Sequence, residues 1–446
     1  MIATYHDSSS MSVPLLSELK HNEVTQDEDK GQSVHESTTR TVSFSGTCLN
    51  GLNALSVIVI PVPQRTLILS TGVGILSIPY ALATGGWLSL ILLFIISMVA
   101  LYSGLLIKRC MDKDCNIKTY PDIGALAFGK VGRILVSALM YTELYLVATG
   151  FLILEGDNLD NLFPNTDIEI GGLVIGGKKL FVILVGLVIM PTVWLDDLSI
   201  LSYVSASGVL ASAIIICSIF FTATFDGSIG FHGNGTLLNW NGIPTASSLY
   251  AFCYCAHPVF PSLYNSMRNK HQFSNVLFIC FVLSTAGYAS MAIIGYLMFG
   301  AEVESQITLN LPLNRISSQI AIYTTLVNPI SKYALMVTPI TNALKALLPQ
   351  QYKKSFINIL ISTTLVISTI IVAVTVPFFA YLTSLVGAFL SITASIILPC
   401  LCYLKISGTY NKFGCETIAI VTIIFFGVVI GIFGTYTAIV EIINHL

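Results

Sequence analysis

Between residues 86 and 440 the chain runs through ten apolar stretches, at 86–109, 131–155, 179–195, 198–222, 243–264, 273–299, 316–346, 356–376, 379–404 and 416–440, separated by short polar breaks. Each is long enough to cross a hydrocarbon layer of about 30 Å as a helix. An eleventh, interrupted stretch lies between 45 and 85. Only 10% of the residues are charged, too few to clothe soluble domains of this size. Lipid cannot satisfy backbone groups, so spans of this kind are helical, and an all-α integral membrane protein follows. A net charge of −2 with no long basic run argues against nucleic-acid binding. Ten cysteines, mostly in or beside apolar runs, read as small buried side chains, and no third or fourth ligand accompanies Cys253/Cys255 or Cys400/Cys402 to make a zinc site.

Residues 1–44 differ from the rest. They carry seven acidic and three basic residues among many Ser and Thr, the composition of a disordered tail. Two domains are therefore expected: the tail, and a transmembrane domain over 45–446. Lys and Arg set the orientation. Thirteen of them fall in the links after the second, sixth, eighth and tenth spans, against Lys178, Lys179 and Arg315 in the opposite links. The N-terminus is thus expected in the cytosol and, with an odd number of spans, the C-terminus on the far side. The single N-x-S/T sequon, at Asn234, falls in a link placed outside, which makes Asn234 a glycosylation candidate.

Ionisable residues inside a membrane are functional candidates. Glu143 lies mid-way along the third span and Lys332 mid-way along the eighth, while His257 lies in the sixth. For Glu143 and Lys332 two readings stand: a buried ion pair or helix-to-helix hydrogen bond, or proton or ion coupling. Glycine and proline also interrupt two spans, at Gly72-Val73-Gly74-Ile75-Leu76-Ser77-Ile78-Pro79 and at Cys253-Tyr254-Cys255-Ala256-His257-Pro258. These breaks are five spans apart, as an inverted five-plus-five repeat with broken helices 1 and 6 requires, and such pairs point to a transporter site. No phosphate-binding GxxxxGK[ST] loop, HExxH pair or GxSxG elbow occurs, which argues against a primary pump or a hydrolase and for no cofactor.

Gly72 to Trp87, Thr119-Tyr120-Pro121-Asp122-Ile123-Gly124, the third-span Tyr141-Thr142-Glu143-Leu144-Tyr145 with Glu155-Gly156-Asp157-Asn158-Leu159, the sixth-span break, and Asn328-Pro329 with Lys332-Tyr333 together resemble the amino acid/auxin permease family, most of all its plant vacuolar amino-acid transporter group. The resemblance implies eleven spans, an amino-acid substrate, neutral in type, driven by protons, and residence in a vacuolar membrane. It further implies that Gly72, Gly74, Ile75, Leu76, Ser77, Ala251, Tyr254 and Cys255 line the substrate site; Glu143 and Lys332 are the coupling candidates from their own ionisable chemistry. A membrane amino-acid sensor or a carrier of a related substrate such as auxin are the alternatives. One departure stands out. Relatives run from the Leu-Asn-x-Leu-Asn-x-Leu-Ser segment directly into Gly72, whereas here residues 57–71, with Pro61, Pro63 and Arg65, intervene. An arginine at bilayer depth costs about 2.5–3.5 kcal/mol. Residues 57–71 are therefore expected to be an insertion that impairs the chain.

Overall fold

The computed structural model describes residues 44, 47–48, 74–114, 116–170, 173–194, 214–225, 230–231, 235–349, 355–408 and 414–445. The acidic tail, residues 57–71, Gly72 and Asn234 lie outside them.

Among the described residues, seven helices are long and apolar enough to cross a membrane. In chain order the helical elements are α1 (Gly74–Gly85), α2 (Ser89–Met111), α3 (Tyr120–Leu162), α4 (Gly177–Ile189), α5 (Ile214–Phe225), α6 (Ile243–Phe252), α7 (Phe260–Ser266), α8 (Phe273–Phe299), α9 (Ile316–Ala346), α10 (Ser355–Thr375), α11 (Phe379–Ser407) and α12 (Cys415–His445). A small antiparallel hairpin, β1 (Ile168–Ile170) and β2 (Leu173–Ile175), follows α3. Large apolar side chains point outward along these helices, Val131 and Ile134 on α3 and Phe425 and Ile432 on α12 among them, each more than 60% exposed. An outer surface of this kind suits lipid.

Local chemistry sets the element ends. Lys108 and Arg109 occupy the last turn of α2, where cations complement the exposed carbonyls. Thr119 and Asp122 form a reciprocal capping box at the start of α3, with Pro121 in its first turn. Gly129, at φ 66°, then breaks the regular backbone, so α3 is a short arm followed by a long rod. The expected span at 131–155 is the core of that rod; the helix continues at both ends because its arm and its polar tip are stabilised by partners and not by lipid. The sixth stretch, expected as one span at 243–264, is two helices with an unwound link between them.

Two packing groups emerge. α1, α2, α6 and α8 pack among themselves, as do α3, α4, α9 and α10. α11 touches both groups, lying against α2, α3 and α6, and α12 packs on α11 and α6. Inside α11 the backbone widens to π-helical turns at Val386–Ser391 and Thr393–Ile397. Such turns insert extra residues into a helix and often mark functional sites.

Candidate transport site

The two helices whose sequences carry the glycine and proline interruptions meet. A Cβ added at Gly74 would stand 2.9 Å from Cys253 Sγ and 3.5 Å from Phe252 Cδ1, so Gly74 at the start of α1 abuts the end of α6, and an added side chain would press on Cys253. Ile75, Leu76 and Ser77 follow, all buried, and Ser77 Oγ donates to Gly74 O at 3.0 Å.

α6 ends through tight turns. Cys253 N donates to Tyr250 O at 3.2 Å and Tyr254 N to Ala251 O at 3.1 Å. Ala256 leaves helical geometry, and Pro258 and Pro261 supply no backbone donors as the chain turns into α7. Ala251 and Tyr254 are buried, while Cys255 is partly exposed. The Tyr254 hydroxyl hydrogen-bonds Thr285 Oγ1 at 2.8 Å, which in turn meets Ser97 Oγ at 2.7 Å. Its ring stacks on Phe281 with centroids 5.8 Å apart, and Tyr288 donates to Cys253 O at 3.3 Å. With the Tyr254 ring held by α2 and α8, this residue offers the link its main chain.

Glu143 is fully buried on α3. Its Oε1 accepts from Ser391 Oγ at 2.6 Å, and its Oε2 has no hydrogen-bond partner among the described residues. Ser391 closes the first π-helical segment of α11. The hydrogen-bond reading of Glu143 thus has a definite partner, a hydroxyl on α11 and not Lys332. Lys332 is buried on α9, beside Tyr333, whose hydroxyl meets Thr369 Oγ1 of α10. His257 is buried in the turn after the link, with Nε2 at 2.8 Å from Ala100 O and 2.9 Å from Ser103 Oγ of α2.

A second polar cluster closes the far end of α3. Asn158 Nδ2 donates to Gln306 Oε1 at 2.7 Å, Gln306 Nε2 to Asp157 Oδ2 at 3.0 Å, and Asp157 pairs with Lys178. Lys178 also donates to Pro377 O, so α3, α4 and the entry to α11 are tied together. The sequence flagged Asp157 and Asn158 only as part of a family likeness.

A third tie joins the first turn to the sixth helix. Gly86, at φ +81°, lets the α1–α2 turn pair with the strand-like segment before α6: Trp87 N donates to Thr236 O at 3.1 Å and Leu88 N to Leu237 O at 3.0 Å. Asn239 N answers with a bond to Gly85 O at 3.1 Å, and its side chain donates to Thr84 O at 3.0 Å. Ser391, Thr285 and Ser103 were not distinguishable in the sequence, where a hydroxyl in an apolar run carries no periodic signature.

The profile of one family, described as transmembrane amino acid transporter protein, matches residues 67–440. Three proteins of Arabidopsis thaliana are similar over most of the chain. Amino acid transporter AVT1I is 57% identical over 94% of this chain and 100% of its own length, and amino acid transporter AVT1J 56% identical over 90% and 92%. Amino acid transporter AVT1B is 44% identical over 91% of this chain and 72% of its own length. Two solved structures share the fold at low identity. One is the inward facing conformation of Mhp1, with a TM-score of 0.53 and 11% identity, covering 91% of this chain and 90% of that one. The other is the substrate-bound outward-open state of a Na+-coupled sialic acid symporter, with a TM-score of 0.50 and 10% identity, covering 89% of each chain.

Proposed function

Because the chain belongs to the transmembrane amino acid transporter family, we propose that it is a proton-coupled carrier of neutral amino acids in a vacuolar membrane. The observation that carries this reading is the approach of the two helices whose sequences are interrupted, Gly74 against Cys253, within the first packing group. Unwound backbone there exposes main-chain donors and acceptors, which suit the ammonium and carboxylate common to all amino acids, while the apolar walls suit a neutral side chain.

Gly72, Gly74, Ile75, Leu76, Ser77, Ala251, Tyr254 and Cys255 line the substrate site in this reading, and Cys255 is half-buried. Glu143 and Lys332 carry the coupling charge. Both sit on the second packing group, so rocking that group against the first changes their exposure together with that of the substrate. The charge bias of the links supports a cytosolic N-terminus and a luminal C-terminus, with residues 1–44 as a tail and Asn234 as a luminal glycan site. Residues 57–71 are read as an insertion into the first helix from the sequence pattern, although the family match, beginning at residue 67, takes in the last five of them.

The test is uptake of radiolabelled L-alanine, L-leucine and L-serine into proteoliposomes of the full chain, with and without an imposed pH gradient, and with choline in place of sodium. Uptake driven by the pH gradient and indifferent to sodium is expected; uptake abolished by choline refutes proton coupling. A deletion of 57–71 is expected to transport faster than the full chain, and equal rates refute the insertion.

A further inference from the structure

His257 has a hydrogen-bond arrangement that fixes its tautomer. The Ala100 carbonyl can only accept, so the Nε2 that lies 2.8 Å from it carries a hydrogen. Ser103 Oγ, 2.9 Å from the same nitrogen, sends its own hydrogen to a carbonyl, that of Ser395 at 2.7 Å or of Ala100 at 2.9 Å. Nδ1 is then a bare lone pair, fully buried, and among the described residues it has no hydrogen-bond partner. The residue itself opens the turn that follows the unwound link, directly after Ala256. Phe260 of α7 and Phe281 of α8 enclose the ring at centroid distances of 4.8 and 6.5 Å.

We propose that His257 is a proton-binding residue of the carrier, taking a proton at Nδ1, so that proton occupancy bears on the turn that leaves the substrate link. This inference rests on the reading of the chain as a proton-driven carrier. A neutral imidazole gains one N–H bond and one positive charge, and breaks none; the proton arrives from water on one side and leaves to water on the other. The groups facing the ring are Ala100 and Ser103 from α2, Ser395 from α11, and the two phenylalanines from α7 and α8. The titratable side chains of the link are Tyr254 and Cys255, and Glu143 of α3 meets α11 at Ser391. Ser391 and Ser395 lie one turn apart on α11: the Ser391 hydroxyl donates to Glu143, and the Ser395 carbonyl accepts from Ser103, the neighbour of the His257 ring.

The experiment measures protons moved per substrate, from the pH gradient that just balances an opposing gradient of radiolabelled L-leucine in proteoliposomes of the full chain. His257→Gln is expected to move about one proton fewer per substrate than the wild type. An unchanged ratio overturns the proposal. A wild type indifferent to the pH gradient overturns the carrier reading, and this proposal with it. Where His257→Gln is silent, Ser103→Ala decides: it keeps the ring but removes an acceptor from Nε2. It is expected to shift the pH of half-maximal uptake acid by about half a unit or more, and an unmoved midpoint overturns the proposal.

Discussion

Gly86→Ala tests whether the clamp over the first turn is a structural necessity of this fold. At φ +81° an L side chain is strained, at about 1–2 kcal/mol. A Cβ there would also stand 2.9 Å from Thr236 O, Leu237 O and Leu238 N, all of them backbone and unable to rotate aside. The segment must retreat, which loosens the bonds from Trp87 N and Leu88 N, each worth about 1 kcal/mol. The two contributions together come to roughly 3–4 kcal/mol. Gly408 provides the control. Its φ is +69°, with nothing within 4 Å of an added Cβ, so Gly408→Ala meets the strain alone, about 1–2 kcal/mol. Thermal melting of purified protein followed by fluorescence-detected size exclusion should place Gly86→Ala a few degrees below Gly408→Ala, the interval roughly 2 kcal/mol brings in a chain of this size. Equal melting temperatures would refute the reasoning, because the close approach would then cost nothing beyond backbone strain.

Other outcomes follow from the buried charges. Glu143→Gln keeps shape while removing charge, and is expected to change the pH dependence of uptake; a wild-type profile would leave Glu143 as a hydrogen-bonding partner of Ser391 and no more. Lys332→Met is expected to lower pH-driven uptake at least about tenfold with expression intact, and unchanged proton dependence would make Lys332 structural. Asp112, just past α2, is opposed by burial, but hydrogen bonds from Tyr264 and from Lys108 outweigh it and hold its carboxyl below the usual range. A carboxyl lowered on folding adds stability above its unfolded value near 3.9, which is lost as pH falls through the folded value. Asp112→Asn should therefore lower the melting temperature at pH 7 and narrow its gap to wild type as the buffer is taken below pH 4; a constant gap sinks this reading.

Hydropathy located the lipid-facing helices closely. The stretches at 273–299 and 356–376 match α8 and α10 to within a residue, because a bilayer demands an apolar run long enough to cross it and that demand is written residue by residue. The break at Cys253-to-Pro258 was legible for a similar reason, since proline and glycine act locally. Where structure depends on partners far apart in sequence, the signal fades. Ser391 meets Glu143 across 248 positions, and no period in either helix announces the pairing. The arm of α3 before Gly129 and its tip after 155 were missed because capping, the Arg133–Asp122 bond and the Asp157–Lys178 pair stabilise them, not hydrophobicity.

The rod of α3 has a consequence for where the protein can work. From Lys130 to Asp157 it rises roughly 40 Å at 1.5 Å per residue. That is close to the full thickness of a bilayer with its headgroups, about 40–45 Å. Its charged ends are anchored, Arg133 to Asp122 at one and Asp157 to Lys178 at the other, so the rod cannot shorten. In a thinner membrane it must lean, and α4, α9 and α10, packed along it, must lean with it. Hydrophobic mismatch therefore acts directly on the helices that hold Glu143 and Lys332. Acyl-chain length becomes a control on the carrier, and the thickness of a membrane a criterion for which compartment it serves.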